Sequence, residues 1–354
     1  MSKEIRYWTS HPHKRPEFWT LKLGLDPMTF DLVYDAKTPD YLIATEHIYF
    51  ERLAKLDFQR LYAPHRVAVF WAGEAISPDL NIFDYAMTYD KGLSLGDRVI
   101  RRPVLSLFGA FEHVALNVGP ENVREELKAK SGFCDFIYSN PLAHPRRDSI
   151  FHELSRYKRV DSLGPYLHNC EVKPSRGDEH FEVRSVEMKR PYKFSISAEN
   201  AAFFGYTSEK IITSFLARSI PIYWGNPDVT SEFNSRAFIN ANGVSSKELI
   251  ERVRRYNESD DLWCEMASEP PMTQTQHERA LADESAYRKF MAALFLRPLS
   301  SALRRPEGYW ADNYRRTLFG AAARQVTRQN KILKAFGRET RFGRWVLGKI
   351  HPIN

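Results

Sequence analysis

The stretch SAENAAFFGYTSEK, residues 197–210, sets Glu199, Asn200, Tyr206, Thr207, Ser208, Glu209 and Lys210 between two apolar runs. Carboxylates, a carboxamide, hydroxyls and an ammonium at this density can bind and orient a polar ligand. Lys210 indicates the sign of that ligand. The residues after it have helical spacing, so Lys210 falls on the first turn of a helix. Unpaired N–H groups and the macrodipole already favour anions there. A lysine adds positive charge where the dipole alone would prefer an acid, which makes sense if a phosphate lies opposite. The bland alternative is a solvated lysine at a helix start.

The elements that must carry this loop follow from periodicity. YKFSISAEN (192–200) reads as a buried strand. Ile211, Ile212, Phe215 and Leu216 line one helical face over 209–217, with Thr207 or Ser208 as N-cap. SIPIYWG (219–225) is a second buried strand, closed by Gly and Asn-Pro. Upstream, RVAVFWAGE (66–74) is a short buried strand that ends in polar residues. Residues 246–258 and 276–295 read as helices. Strand, helix, strand predicts a parallel α/β fold, in which ligands bind at the carboxyl ends of the strands.

At 354 residues the chain is long enough for two domains, and 43% hydrophobic with 27% charged residues is ordinary for a soluble protein. Aromatic residues, at 13%, accompany sugar or base binding but also large cores. Charge is uneven. From Arg304 to Lys349 there are twelve Lys or Arg against three acids, a net +9, which leaves the remainder of this +7 chain near −2. Cys134, Cys170 and Cys264 lack the spacing of a disulfide framework or zinc site, which predicts a reducing compartment. The first sixteen residues lack the apolar centre of a signal peptide, and no run of about 18 apolar residues predicts a membrane span.

The 192–225 stretch resembles the donor-binding signature of the α-1,3/4-fucosyltransferases of glycosyltransferase family 10. Tyr192, Lys193, Phe194, Glu199, Asn200, Gly205, Tyr206, Glu209, Lys210, Pro221, Trp224 and Gly225 all fall in its order. Ala198 stands where the family usually has Phe, and Thr207-Ser208 replaces Val-Thr. FWAGEAISPDLNIFDYAMTYD (70–90) with GDRVIRRP (96–103) resembles the acceptor-side segment, with Ala75 in place of its Asn. A third block, 139–164, is similar to the family's phosphate-binding segment; it places Arg147 at the phosphate arginine, with Arg146 as the one-residue rival.

The resemblance implies a GT-B architecture, two Rossmann-like domains facing across a cleft. It implies an acceptor-binding domain at 1–128, a GDP-sugar domain at 129–300 and a basic helical tail at 301–354. It implies inverting transfer of L-fucose from GDP-fucose to an N-acetylglucosamine-type unit, α-1,3 or α-1,4, in an oligosaccharide such as a lipopolysaccharide glycan. Glu74 would be the general base. Arg147 and Lys210 would hold the diphosphate, Glu209 would meet the ribose or fucose, and Asn200 and Tyr206 would contact the donor; Tyr206 as core and Asn200 as a turn residue are the bland readings. No cofactor or metal is required in this reading, and no Asp-x-Asp triplet occurs, though a stimulatory divalent ion is compatible with it. The rivals are transfer of another GDP-linked deoxysugar and, from a different class, nucleic-acid binding through the basic end. No recognition motif favours the latter, so no nucleic acid is expected as a partner.

The tail suggests an anionic membrane surface. Leu318, Ala322, Val326, Leu333 and Phe336 fall roughly on one face of a helix over 313–336, and Trp345 lies among arginines. The expected location is cytoplasmic, at the inner face of a bacterial membrane, with acceptor contacts from loops near 8–20 and 104–125.

Overall fold

The computed structural model describes residues 2–48, 65–104, 119, 121–171, 181–318 and 320. Its strands are β1 Lys3–Thr9, β2 Phe30–Tyr34, β3 Tyr41–Ala44, β4 Val67–Trp71, β5 Tyr85–Thr88, β6 Val99–Arg101, β7 Gly132–Phe136, β8 Val160–Ser162, β9 Tyr192–Ala198, β10 Ile220–Trp224 and β11 Ile239–Asn240. Its helices are α1 Pro16–Lys22, α2 Val123–Lys128, α3 Pro145–Tyr157, α4 Phe181–Lys189, α5 Glu209–Leu216, α6 Ser246–Glu258, α7 Asp260–Ser268, α8 Gln274–Leu296 and α9 Leu299–Ala302.

Unit 1 takes in the described residues up to Tyr89, Leu93–Arg102 and those from Ala286 onward. Its sheet has the order β2-β1-β3-β4-β5-β6, and every pairing is parallel. Parallel strands covered on both faces need near-continuous apolar sequence. Accordingly every residue of β3, β4 and β5 is buried. Trp19 and Leu23 near α1, and Tyr287, Met291, Leu294 and Phe295 of α8, pack into the same core as Ile5, Ile43, Val69 and Met87.

Unit 2 takes in Asp90–Gly92 and Pro103–Ser285. Its sheet order is β11-β10-β9-β7-β8, again all parallel. Pro221 stands inside β10, where a residue without an N–H is awkward. The register resolves this: β11 pairs only from Ile222 on, so at Pro221 β10 has a neighbour on one side only. Phe136, Ile150, Leu154, Phe194, Ile196, Ile222, Leu249 and Trp263 make the core.

The parallel α/β expectation holds, and the helices expected at 246–258 and 276–295 are α6 and α8. The division of the chain differs from the expected 128/129 and 300/301 boundaries. Val104 already packs with Ile211, Ile212 and Tyr223 of unit 2, and the chain passes from unit 2 to unit 1 within α8.

The tail is corrected more substantially, because its described beginning is built into unit 1. Ala302 is buried in the core, and the backbone N–H groups of Arg304 and Arg305 donate to Asp84 Oδ1 at 2.7 and 2.8 Å. Arg305 Nε pairs with Asp84 Oδ2 at 3.1 Å, and Asp84 has no exposed surface. Residues 309–318 are helical; there Arg315 is buried and donates to the Pro306 carbonyl. The expected positions Ala322, Val326, Leu333, Phe336 and Trp345 lie outside the described residues, as does most of the 104–125 loop. No helix among the described residues is long and apolar enough to cross a membrane.

Candidate functional site

At the carboxyl end of β9 the chain turns through Glu199, whose N–H continues the ladder to the Trp224 carbonyl at 2.7 Å. Glu199 is fully buried. Gly225 makes the room: at φ 150° a Cβ there would lie 2.4 Å from Glu199 Cγ. The Glu199 carboxylate accepts the Ser208 N–H at 2.7 Å, the Ser208 hydroxyl at 2.6 Å and Lys210 Nζ at 3.3 Å. Burial raises the Glu199 pKa, while the Lys210 charge and the Ser208 hydrogen bonds pull it back. Ser208 is the N-cap residue of α5, yet its side chain caps nothing. It donates to Glu199 and accepts from Lys210 Nζ at 2.9 Å instead. Lys210 is therefore not a solvated lysine. Its side chain is 17% exposed and held at the helix start by Glu199, Ser208 and, at 3.7 Å, Glu209.

A second helix starts at the same edge. His144 caps α3, accepting the Arg146 N–H, and its own N–H donates to the Asn200 carbonyl at 2.8 Å. One turn in, Arg147 is completely buried. Its guanidinium lies between the rings of Tyr138 and Tyr166, 4.8 and 5.0 Å from their centroids. Nε donates to Asp148 Oδ1 at 3.1 Å and Nη1 to Asn200 Oδ1 at 3.3 Å. Tyr166 donates its hydroxyl to the other Asp148 oxygen. Nη2 is buried and has no hydrogen-bond partner. An unmade hydrogen bond of this kind costs about 1–3 kcal/mol, and an anionic ligand would remove that cost.

Beneath the loop a polar network fixes its shape. Asn226 accepts the Gly205 and Asp228 N–H groups and donates to Thr207, which donates in turn to Glu232. Lys189 on α4 donates to the Lys210 carbonyl, Thr213 and Ser214, so it braces the first turns of α5 from inside. Burial lowers the Lys189 pKa to about 8 and raises that of Asp135 to about 7.

Unit 1 gathers its own polar groups at the carboxyl ends of β1, β3, β4 and β6. Glu74 is half-buried in a turn three residues past β4. Glu46, after β3, is buried and accepts the Gly73 N–H at 2.8 Å. His11 stacks on Phe18 at 5.2 Å and meets Trp19 and His47 edge-on. Burial and the neighbouring His47 and His13 lower the His11 pKa to about 4.

The structure thus brings Arg147, Asn200, Glu209 and Lys210 to one edge of unit 2. Arg146 is engaged elsewhere, forking onto both oxygens of Glu153 at 2.8 and 2.9 Å. Tyr206 is 2% exposed, and its ring belongs to the packed interior. Tyr138, Asp148, Tyr166, Lys189 and Asn226 were missed from sequence, as were Glu46 and His11. Only the polar Asn-Pro-Asp after Gly225 carried a local signal. Among the described residues no group of three or more His, Cys, Asp or Glu is placed to hold a metal ion.

The fold is of GT-B type. A crystal structure of an α1,3-fucosyltransferase with GDP-fucose aligns over 82% of this chain and 92% of its own, with a TM-score of 0.59 at 20% identity. The glycosyltransferase family 10 (fucosyltransferase) C-terminal domain matches residues 127–268, and the alpha-(1,3)-fucosyltransferase FucT N-terminal domain matches 30–108. The chain belongs to glycosyltransferase family 10, the fucosyltransferases. It is 27% identical over 257 residues to alpha-(1,3)-fucosyltransferase FucT of Helicobacter pylori, a match that takes in 63% of this chain and 51% of the relative. It is 30% identical over 126 residues to GDP-fucose protein O-fucosyltransferase 3 of Xenopus tropicalis, covering 34% of this chain and 26% of that protein. The chain thus spans about half or less of these relatives' lengths.

Proposed function

We propose that the protein transfers L-fucose from GDP-fucose, with inversion, to a hydroxyl of an N-acetylglucosamine-type unit in an oligosaccharide. The observation that carries this is Arg147: a buried guanidinium gripped by two tyrosines, with its Nη2 amino group left over, at the edge where α3 and α5 both present their N-termini. Such a group suits a diphosphate, whose leaving oxygen gains negative charge as the sugar departs. Lys210 adds the second cation, and Glu209 and Asn200 stand beside them for the donor's sugar groups. Glu74 takes the proton of the acceptor hydroxyl. As that hydroxyl attacks C1, the C1–O bond to the diphosphate breaks and GDP leaves with the electron pair. Tyr206 acts as packing beneath the loop, given its burial.

The relatives support fucose as the sugar, since GDP-fucose or fucosyl transfer appears in the names of the proteins matched in sequence and structure. One name prints an alpha-(1,3) linkage and the other a protein acceptor, so the proposed acceptor and linkage rest on the match that prints a sugar linkage being the longer. In this reading no metal is required, and the basic residues beyond 320 hold the enzyme to an anionic, cytoplasmic membrane face. Incubation with GDP-fucose and an array of glycan and peptide acceptors, with NMR of the products, tests the proposal. An α-1,3- or α-1,4-fucosylated N-acetylglucosamine unit is expected. Transfer only to peptide hydroxyls, or only from another GDP-deoxysugar, would overturn it.

A further inference from the structure

The backbone that leads into Glu74 is held by two buried charges from elsewhere in unit 1. The Ala72 N–H donates to the Met87 carbonyl at 2.9 Å, which ties it to β5. The Ala72 carbonyl accepts Arg102 Nη1, and the next peptide N–H, that of Gly73, donates to Glu46 Oε2 at 2.8 Å. Arg102 follows β6 and is 3% exposed, its guanidinium 3.8 Å over the Trp71 ring and 4.8 Å over Tyr89. Glu46 follows β3 and is 7% exposed. A Cβ at residue 73 would lie 2.6 Å from Glu46 Oε1, so a larger residue there would push the carboxylate aside.

Taking a carboxylate and a guanidinium out of water is expensive, and apolar side chains would fill the same space at less cost. Charge-assisted hydrogen bonds, however, are short and directional. Both groups spend theirs on consecutive residues, one and two positions before Glu74. We propose that Glu46 and Arg102 are positioning residues: a charged clamp that fixes the turn so that Glu74 meets the acceptor hydroxyl in one geometry. This inference rests on the reading of Glu74 as the base. Neither clamp residue touches the substrate in it. Their contribution is made through Glu74, since displacing a reacting group by about 1 Å can cost about 10²-fold in rate.

A double-mutant cycle on the full-length protein tests it. Glu46→Ala should lower kcat by about tenfold or more, with GDP affinity unchanged. Glu46→Gln should restore part of the rate, because its amide oxygen still accepts the Gly73 N–H, but through a weaker, neutral hydrogen bond. In a Glu74→Gln background, Glu46→Ala should remove little further activity, because the group it positions is already disabled. Gly73→Ala, which pushes the Glu46 carboxylate aside, should reproduce the loss if Glu46→Ala folds poorly. Equal fold-losses from Glu46→Ala in both backgrounds would overturn the clamp, as would unchanged kcat in both Glu46→Ala and Gly73→Ala. If Glu74→Gln alone keeps wild-type turnover, the base reading fails and takes the clamp with it.

Discussion

Arg147 and Arg146 are neighbours on one helix, and the chain treats them oppositely. Successive helical residues point about 100° apart, so one turns in toward Tyr138 and Tyr166 while the other reaches Glu153. Which of the two would be the interior one was not legible in the sequence, because a one-residue gap exchanges them. Lys210 was more legible, since helical spacing set it on the first turn of a helix, but its pairing with the buried Glu199 was not. Glu199 shows what the burial demands. Glu199→Ala would leave Lys210 without its buried carboxylate and the Ser208 N–H without an acceptor. Removing one partner of a buried pair costs about 3–5 kcal/mol, to be read from urea unfolding; a loss under about 1 kcal/mol would mean the loop reforms without it. Glu74→Gln should lower kcat by roughly 10²-fold or more with GDP binding intact, and near-wild-type turnover would remove Glu74 from the chemistry.

Strands and helices with strong periodicity were readable because parallel strands buried on both faces leave little choice of sequence. Of the groups at their carboxyl ends in unit 1, the family resemblance singled out Glu74, but His11 and Glu46 carried no signal. His11, Glu46, Glu74 and Arg102 are scattered over ninety-odd positions, and only the order β1-β3-β4-β5-β6 gathers them. The β1 end gives a pH signature. His11 has a folded pKa of about 4 against an ordinary 6.5, so it is neutral in the fold, among His13, His47 and Lys22. Between those values the unfolded chain binds more protons, so stability rises with pH. The contribution is complete above about pH 6.5 and lost as pH falls toward 4. Thermal melting of the wild type should therefore drop across that window more than that of His11→Phe. Parallel profiles for the two proteins would contradict the assignment.

At the scale of the whole molecule, composition revealed the basic charge beyond residue 300 but not that the fold uses the first of it. Arg304 and Arg305 are part of that charge, yet three of their N–H groups serve the buried Asp84. A chain ending at Pro298 should consequently melt early, by about 3–5 kcal/mol, because the buried carboxylate loses its guanidinium although it keeps the Ala68 N–H. A chain ending at residue 320 should keep its melting temperature and turnover but lose binding to anionic vesicles. An unchanged melting temperature in the shorter chain would show that residues 299–315 are dispensable. The account as a whole depends on unit 2 holding a nucleoside diphosphate at the Arg147–Lys210 edge. Calorimetry of GDP binding to the full-length protein and its arginine variants tests this most directly. Arg147→Ala should weaken binding by about 1.5–3 kcal/mol, the value of a charged hydrogen bond, while Arg146→Ala leaves the affinity near wild type. Undiminished GDP affinity in Arg147→Ala, or a loss confined to Arg146→Ala, would contradict it.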